Sequence, residues 1–183
     1  MLQESLIGSY NFNVLRALLE SLDLLKTQAG AEIGVFDGGT SWYLLRSFPQ
    51  LRLFGVDPYL AYPEYDQSRM RQAEQTAVDR LAQFGERSIR IKESSVSAAK
   101  AIPEECLDFV FVDGDHTYDA VVEDIKAWYP KVHAGGLFCG HDYSWGGVHC
   151  AVDEFVEKSK LTAYSTPIAS DIWWMIKPSV PAQ

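Results

Sequence analysis

Cysteine is scarce in this sequence of 183 residues, and the sequence contains no long apolar run. The three cysteines, Cys106, Cys139 and Cys150, are scattered without a CxxC spacing, which argues against a disulfide framework and favours a reducing compartment. No stretch approaches the ~18 uncharged apolar residues that a membrane-spanning helix needs. The first residues also lack the basic and apolar regions of a signal peptide, so we predict a cytoplasmic protein.

Basic residues are outnumbered by acidic ones, with 16 lysines and arginines against 25 aspartates and glutamates and a formal net charge of -9. A surface of this charge repels phosphate backbones and anionic lipids. We therefore expect no nucleic-acid partner and no membrane partner. Hydrophobic residues make up 47% of the chain, enough for a full core without a metal or a disulfide cross-link. The sequence leaves the oligomeric state open, a homo-oligomer included.

Short apolar runs alternate with longer segments of helical periodicity, a pattern typical of a parallel sheet covered by helices. The short runs predict strands at residues 31–36, 52–56, 89–91, 107–112, 137–140, 161–165 and 172–176. The periodic segments predict helices at residues 5–25, 42–48, 66–84, 118–129 and around 152–156, with Thr117 as the cap of the fourth. Because a short loop joins the last two strands, they pair antiparallel. We therefore predict an α/β fold with a mostly parallel seven-stranded sheet and an antiparallel C-terminal edge hairpin.

A glycine-rich turn follows the first predicted strand. Glu32 precedes Gly34 and Gly38, whose G-x-x-x-G spacing differs from the G-x-G-x-x-G that binds a pyrophosphate. Asp57 ends the second predicted strand about twenty residues later, where an acid accepts hydrogen bonds from ribose hydroxyls in doubly wound sheets. Each feature alone is compatible with a plain strand–turn–helix connection or with a turn at Asp57-Pro58. Together they favour a nucleoside ligand that has no phosphate at the turn.

Polar side chains also follow the fourth and fifth predicted strands. They are Asp113, Asp115, His116, His141 and Asp142. Adjacent parallel strands end at the same edge of a sheet, so we expect these groups to converge in one crevice. Acids and histidines gathered in one place cost folding free energy unless pairing, solvent or a bound ion relieves them. The alternative is a set of exposed loop residues and helix caps.

Taken together, these segments resemble class I S-adenosylmethionine-dependent methyltransferases. More specifically, they resemble a bacterial group of small-molecule O-methyltransferase-like proteins. The patterns that carry this resemblance are Glu32-x-Gly34-x-x-x-Gly38, Asp113-Gly114-Asp115-His116-x-Tyr118, Gly135-Gly136 and His141-Asp142-Tyr143. It covers about residues 30–158. It implies a Rossmann-like doubly wound fold in a single domain over residues 1–183, with an N-terminal helix in 1–28 and the core in 29–183.

The resemblance also implies S-adenosylmethionine as cofactor and a small molecule as substrate. The cofactor-binding positions carried over from it are Glu32, Gly34, Gly38, Asp57, Ser94, Ser95, Asp113, Asp115 and His116. Among them, Asp57 would hold the ribose, and Ser94 with Ser95 would contact the adenine. Asp113, Asp115 and His116 would lie beside the sulfonium and the acceptor. Tyr143 and Trp145 are candidates for lining an acceptor pocket.

Related sugar and catechol methyltransferases coordinate magnesium at the positions of Asp113, His141 and Asp142. The histidine departs from the oxygen ligands that magnesium prefers, which leaves manganese, iron, zinc or no metal open. The reaction implied is in-line displacement at the cofactor's methyl carbon by an acceptor hydroxyl. We expect His141 to act as the base because the ordinary pKa of histidine lies near neutrality. Asp113 is the alternative, either as the base or as a metal ligand that acidifies the hydroxyl.

Two other functions remain open at the level of sequence. A cofactor-binding protein without catalysis would keep the region from Glu32 to Asp57 and lack a usable acceptor pocket. A nicotinamide-dependent oxidoreductase would share the fold, but it should carry G-x-G-x-x-G and a catalytic Tyr/Lys or His pair, which we do not find.

Overall fold

The computed structural model describes residues 12–20, 29–62, 65–166 and 171–179. Within these ranges, seven strands form one sheet. The strands are β1 (Ala29–Ile33), β2 (Arg52–Val56), β3 (Ser88–Ile91), β4 (Leu107–Val112), β5 (Val132–Gly140), β6 (Tyr164–Ser165) and β7 (Trp173–Ile176). The helices are α1 (residues 12–20), α2 (Gly39–Ser47), α3 (Gln67–Leu81), α4 (Ser95–Ala99), α5 (Tyr118–Trp128) and α6 (Gly146–Ser159).

The strand order is β3-β2-β1-β4-β5-β7-β6. The first five strands in this order are parallel, whereas β7 pairs antiparallel with both β5 and β6. The predicted fold class is therefore confirmed: an α/β, Rossmann-like, mostly parallel sheet with an antiparallel C-terminal hairpin. The last strand of the hairpin lies inside the sheet, and the short β6 forms the edge.

Several predicted boundaries differ from the structure. The strand predicted at 31–36 begins at Ala29 and ends at Ile33, because Gly34 and Phe36 adopt positive φ angles of 89° and 50° and turn the chain away. The strand predicted at 137–140 begins earlier, at Val132, and the pairing of β5 with β4 is irregular across its two glycines. Of the helix predicted at 5–25, residues 12–20 are helical, and the remainder lies outside the described residues.

Thr117 lies at the predicted cap position of α5, but its side chain does not cap the helix. Thr117 occupies the N-cap, and its side chain makes no capping hydrogen bond. Instead, the carboxylate of Asp115 accepts a hydrogen bond from the backbone N–H of Thr117 at 2.8 Å. Asp115 therefore orders the start of the helix that follows β4.

The sheet is covered on both faces, which explains the nearly continuous apolar sequence of β4. Val110 and Val112 pack into the core on one face, while Phe109 and Phe111 pack into the core on the other. With both faces occupied, the backbone of β4 is fixed, and the residues that follow it are held at the carboxyl edge of the sheet. In the part of the chain that the structure describes, none of the helices has the length and hydrophobicity of a membrane span.

Candidate functional site

A cavity of about 350 Å³ opens at the carboxyl ends of β1, β2 and β4. Six residues predicted as part of the site line it: Gly34, Asp57, Ser94, Ser95, Asp113 and Asp115. His116 and His141 line a smaller cleft that shares Asp113, Gly114 and Asp115 with the cavity. Glu32 and Gly38 belong to neither lining.

Gly34 joins the ends of two neighbouring strands. Its φ angle is +89°, and a Cβ at this position would lie 2.0 Å from the carbonyl oxygen of Asp113. Its own N–H donates to the carbonyl of Val56 at 2.9 Å, while the N–H of Asp113 donates to Ile33 at 2.7 Å. Glycine is therefore required here by the close approach of β1 to the end of β4, independently of any ligand.

Glu32 is buried beside the same turn. Its carboxyl accepts a hydrogen bond from the hydroxyl of Ser41 in the first turn of α2. Burial raises the pKa of Glu32 to about 8, and the nearby charges of Asp113 and Asp57 add to the shift. At neutral pH the group is therefore mostly protonated, and it connects β1 to α2 without reaching the cavity wall.

Asp57 lines the cavity and also organises the glycine turn. One carboxylate oxygen accepts hydrogen bonds from the N–H groups of Val35 at 3.1 Å and Phe36 at 2.9 Å. The other accepts from the N–H of Tyr59 at 2.7 Å. Burial raises the pKa of Asp57, and these three bonds oppose the rise. Because a carboxylate offers about four acceptor positions, one remains for a donor group of a ligand.

The opposite wall of the cavity comes from α4 and α5. The hydroxyl of Ser95 donates a hydrogen bond to the carboxyl of Asp124 and accepts one from the indole N–H of Trp128 at 2.8 Å. Burial raises the pKa of Asp124 to about 6, although the bond from Ser95 lowers it. The single hydroxyl proton of Ser95 is therefore donated to Asp124 and not to the cavity.

The predicted convergence of acids and histidines is present where β4 and β5 end. Nδ1 of His141 lies 3.1 Å from Oδ2 of Asp142 and 3.8 Å from Oδ1 of Asp113. Nε2 of His116 lies 2.8 Å from the same Asp142 oxygen. Asp142 therefore stands between two imidazoles, at a positive φ of 56° that directs the chain out of β5.

The charges of this cluster shift the protonation of its members. Burial raises the pKa of Asp113 to about 6, although His141 and His116 lower it. Burial lowers the pKa of His141, but the hydrogen bond to Asp142 and the charge of Asp113 outweigh it and raise the value to about 9. For Asp142, the two histidines outweigh burial and hold its pKa well below the ordinary value. The resting imidazole of His141 is therefore protonated at neutral pH, whereas its assignment as the base rests on the ordinary pKa of histidine near neutrality.

The same cluster fits a divalent cation. One ligand atom from each of Asp113, His141 and Asp142 lies within 4.8 Å of the others. One ion can bridge groups at this spacing, and a nitrogen with two carboxylates suits manganese, iron or zinc better than magnesium.

Sequence reasoning missed part of the cavity wall. The missed residues include Leu60, Tyr62, Met70, Val96 and Asp124. Four of them give no chemical signal in the sequence. Asp124 does give one, because it falls on the buried face of α5 with Val121, Ile125 and Trp128.

Two aromatic residues were expected at an acceptor pocket. Trp145 is 48% exposed, and its ring centroid lies 5.0 Å from that of His116, which places it beside the cluster. Tyr143 donates its hydroxyl to Asp153 at 2.7 Å and stacks on His149, so its polar group is already engaged.

One relative of this chain is recognised by sequence similarity. An uncharacterized protein of Acanthamoeba polyphaga mimivirus is 27% identical over 143 residues, which cover 73% of this chain and 62% of that protein. The chain thus spans less than two thirds of the length of this relative.

Solved structures share the fold at low identity. A methyltransferase of Podospora anserina with bound S-adenosylhomocysteine (SAH) superposes with a TM-score of 0.67 at 13% identity, covering 94% of this chain and 78% of that one. The O-methyltransferase TomG of Streptomyces achromogenes, involved in tomaymycin synthesis and solved in complex with S-adenosylmethionine, gives a TM-score of 0.66 at 17% identity, covering 93% and 79%.

The family is shown by a match of a different kind. A family model described as "Methyltransferase domain" matches residues 31–143, which is more than half of the chain. The matched segment contains the glycine turn and Asp57. It also contains the acid–histidine cluster, which consists of Asp113, His116, His141 and Asp142. The chain belongs to this methyltransferase family.

Proposed function

We propose that this protein transfers the methyl group of S-adenosylmethionine to a hydroxyl group of a small molecule. Family membership supports methyl transfer, and the relatives solved with S-adenosylmethionine or SAH support the cofactor. The hydroxyl acceptor is supported by the acid–histidine cluster, which offers groups that take up a proton.

The charge of the cavity is the observation that carries the proposal. Five acidic side chains line it: Asp57, Asp113, Asp115, Glu123 and Asp124. None of the described residues that line the cavity is a lysine, an arginine or a histidine. These carboxylates would repel a pyrophosphate, which disfavours a nicotinamide dinucleotide. A sulfonium cofactor carries a positive charge and no phosphate, so it matches this wall.

The cofactor can be oriented along the cavity by the groups already described. We assign its ribose to the remaining acceptor position of Asp57, and its adenine to the wall near Ser94 and Ser95. The sulfonium then lies toward Asp113, next to the cluster. Its methyl group faces the cluster, and an acceptor would bind at the surface beside His141 and Trp145.

The protein contributes position and proton uptake to the reaction. The acceptor oxygen attacks the methyl carbon, the carbon–sulfur bond breaks, and the hydroxyl proton passes to the protein. We assign the proton to His141, with Asp142 orienting the imidazole and Asp113 as the alternative base. His141 must lose its resting proton first, and the positive charge of a nearby sulfonium favours this by lowering its pKa.

A divalent cation would be held by Asp113, His141 and Asp142, and it would supply Lewis-acid activation of the acceptor hydroxyl. Those three side chains would then position the acceptor, and proton uptake would move to another group or to solvent.

Calorimetry and a turnover screen test the proposal together. We expect S-adenosylmethionine and SAH to bind, NADH not to bind, and methyl transfer to appear with some members of a panel of hydroxylated small molecules. Heat from NADH with none from either sulfur ligand would contradict the cofactor assignment. Cofactor binding without transfer to any hydroxyl, nitrogen or thiol acceptor would instead indicate a binding protein without catalysis.

A further inference from the structure

The cavity wall contains a buried carboxyl group that the proposed mechanism does not use. Asp124 projects from α5, is 5% exposed and lines the cavity. Its Oδ1 accepts the hydrogen bond from Ser95. Its Oδ2 lies beside Gly114, another lining residue, since a Cβ built there would be 3.7 Å away.

One oxygen of the Asp124 carboxyl has no donor from the described residues and is open to the cavity. Among the described residues, the only hydrogen bond made to Asp124 is the one from Ser95, and it uses Oδ1. A ligand that displaces water from this oxygen costs free energy unless the ligand supplies a donor in return. The wall therefore offers an acceptor suited to a donor N–H or O–H of a ligand.

Asp124 is also held in place before any ligand arrives. The indole of Trp128 donates to Ser95, and Ser95 donates to Asp124, so three side chains of α4 and α5 form one chain of hydrogen bonds. Such an arrangement fixes the direction of the carboxyl and spares the ordering cost when a ligand binds.

The position of Asp124 indicates which part of the cofactor it meets. The ribose hydroxyls are assigned to Asp57, and the sulfonium to the end of the cavity near Asp113. The base is left for the wall formed by Ser95, Val96 and Asp124. The one strong donor on an adenine ring is its 6-amino group, whereas a 6-oxo purine presents an acceptor at that position.

We propose that Asp124 accepts a hydrogen bond from the 6-amino group of adenine and thereby selects adenine over 6-oxo purines. This inference rests on the proposed function, because it presupposes a nucleoside cofactor in the cavity. A 6-oxo group would bring two acceptors face to face and leave the carboxyl unpaired, which a site built around a donor rejects.

Calorimetry with two matched ligands tests the proposal. SAH and S-inosylhomocysteine differ only at the purine, and we measure both at pH 8, above the pKa of about 6 for Asp124. Wild type is expected to prefer SAH by at least about tenfold, the size of a hydrogen bond to a charged group. In Asp124→Asn, whose amide offers both a donor and an acceptor, the preference should fall below about threefold.

The ratio of the two affinities separates recognition from a structural role. If Asp124 only supported the loop through Ser95, its replacement would weaken both ligands equally and keep the ratio. Asp119→Asn is the matched control, because this aspartate on α5 is exposed and does not line the cavity, so the variant should retain the wild-type ratio. If Asp124→Asn does not fold, Ser95→Ala serves instead, since it frees the carboxyl to rotate and should lower the ratio as well.

The outcomes distinguish this inference from the function on which it rests. A wild-type protein that binds neither nucleoside would overturn both. Binding of SAH with no preference over the inosine ligand would overturn the role of Asp124 alone. A preference for SAH that persists in both Asp124→Asn and Ser95→Ala would also overturn the role of Asp124.

Discussion

Glu32 and Ser41 form a buried hydrogen-bonded pair that joins the first strand to the helix after the glycine turn. The carboxyl stands where the family resemblance places a ligand contact, yet it lies outside the cavity lining. Its surroundings favour the protonated form, so the pair should make the stability of the fold depend on pH.

The first prediction concerns the pH dependence that this pair imposes. The pKa of Glu32 is about 8 in the folded chain, against an ordinary value of 4.5. The folded state therefore holds the proton more tightly than the unfolded state does. The stability that protonated Glu32 contributes is therefore complete below about pH 4.5 and is lost as the pH rises toward about 8. Glu32→Gln keeps a partner for Ser41 and cannot ionise, so it should lose less stability over that range.

Denaturant unfolding at several pH values measures this difference. Between pH 5 and pH 9 we expect wild type to lose more free energy of unfolding than Glu32→Gln, by on the order of a few kcal/mol. Because the other acids are common to both proteins, the difference reports the titration of Glu32 together with its coupling to Asp113 and Asp57. Parallel curves for the two proteins would show that Glu32 does not titrate with a raised pKa.

The second prediction concerns Gly34. Gly34→Ala places a Cβ 2.0 Å from a backbone oxygen at a φ of +89°, so β1 and the end of β4 must separate. We expect a loss of at least about 2 kcal/mol in the free energy of unfolding. Gly146→Ala is the control, since a Cβ there meets nothing within 4 Å, and it should change stability by less than about 0.5 kcal/mol. Equal stability of the two variants would contradict this account of the turn.

The sequence was most informative where local pattern and tertiary structure agree. β2 and β4 have the predicted bounds because each is a short apolar run that ends at an aspartate. The meeting of Asp113 with His141 and Asp142 followed from a general property of parallel sheets, whose neighbouring strands end at one edge. That argument needs no knowledge of side-chain geometry.

Other features depend on contacts that no local pattern encodes. The first half of β5 contains His133 and two glycines, so its strand character comes only from pairing with neighbours. The position of β7 between β5 and β6 is likewise a non-local pairing. The protonation of His141 could not be predicted because it depends on two carboxylates within 4 Å. Asp124 was overlooked because a helical aspartate is usually exposed.

The third prediction concerns the metal. If the cluster holds a divalent cation, manganese or zinc should raise the melting temperature, by an amount that grows with concentration and corresponds to about 2.7 kcal/mol at 100 times the dissociation constant. Asp142→Asn should abolish this effect, while Asp153→Asn, on the surface of α6 and outside the cluster, should preserve it. Wild-type melts that neither EDTA nor added magnesium, manganese or zinc changes would remove the metal from the mechanism.

The last prediction concerns His141. If it is the base, single-turnover methyl transfer should fall as the pH drops through its pKa in the cofactor complex, because an imidazolium accepts no proton. The pKa of His141 in the complex should lie below the value of about 9 for the resting chain. The reason is that the positive charge of the sulfonium opposes the rise caused by the carboxylates of Asp142 and Asp113. His141→Asn should slow the chemical step by roughly 100-fold or more and leave cofactor affinity nearly unchanged.

Three measurements on His141→Asn separate the roles that this residue could have. Loss of the chemical step with intact metal response and melting temperature supports the base, whereas weakened metal binding with activity partly restored by excess metal supports a ligand. A lower melting temperature with normal turnover supports a structural role, because His141 would then only anchor Asp142. His133→Asn is the control, since it lies at the opposite end of β5 and pairs with Asp108. Its turnover should match wild type, and the same result for His141→Asn would refute the catalytic assignment.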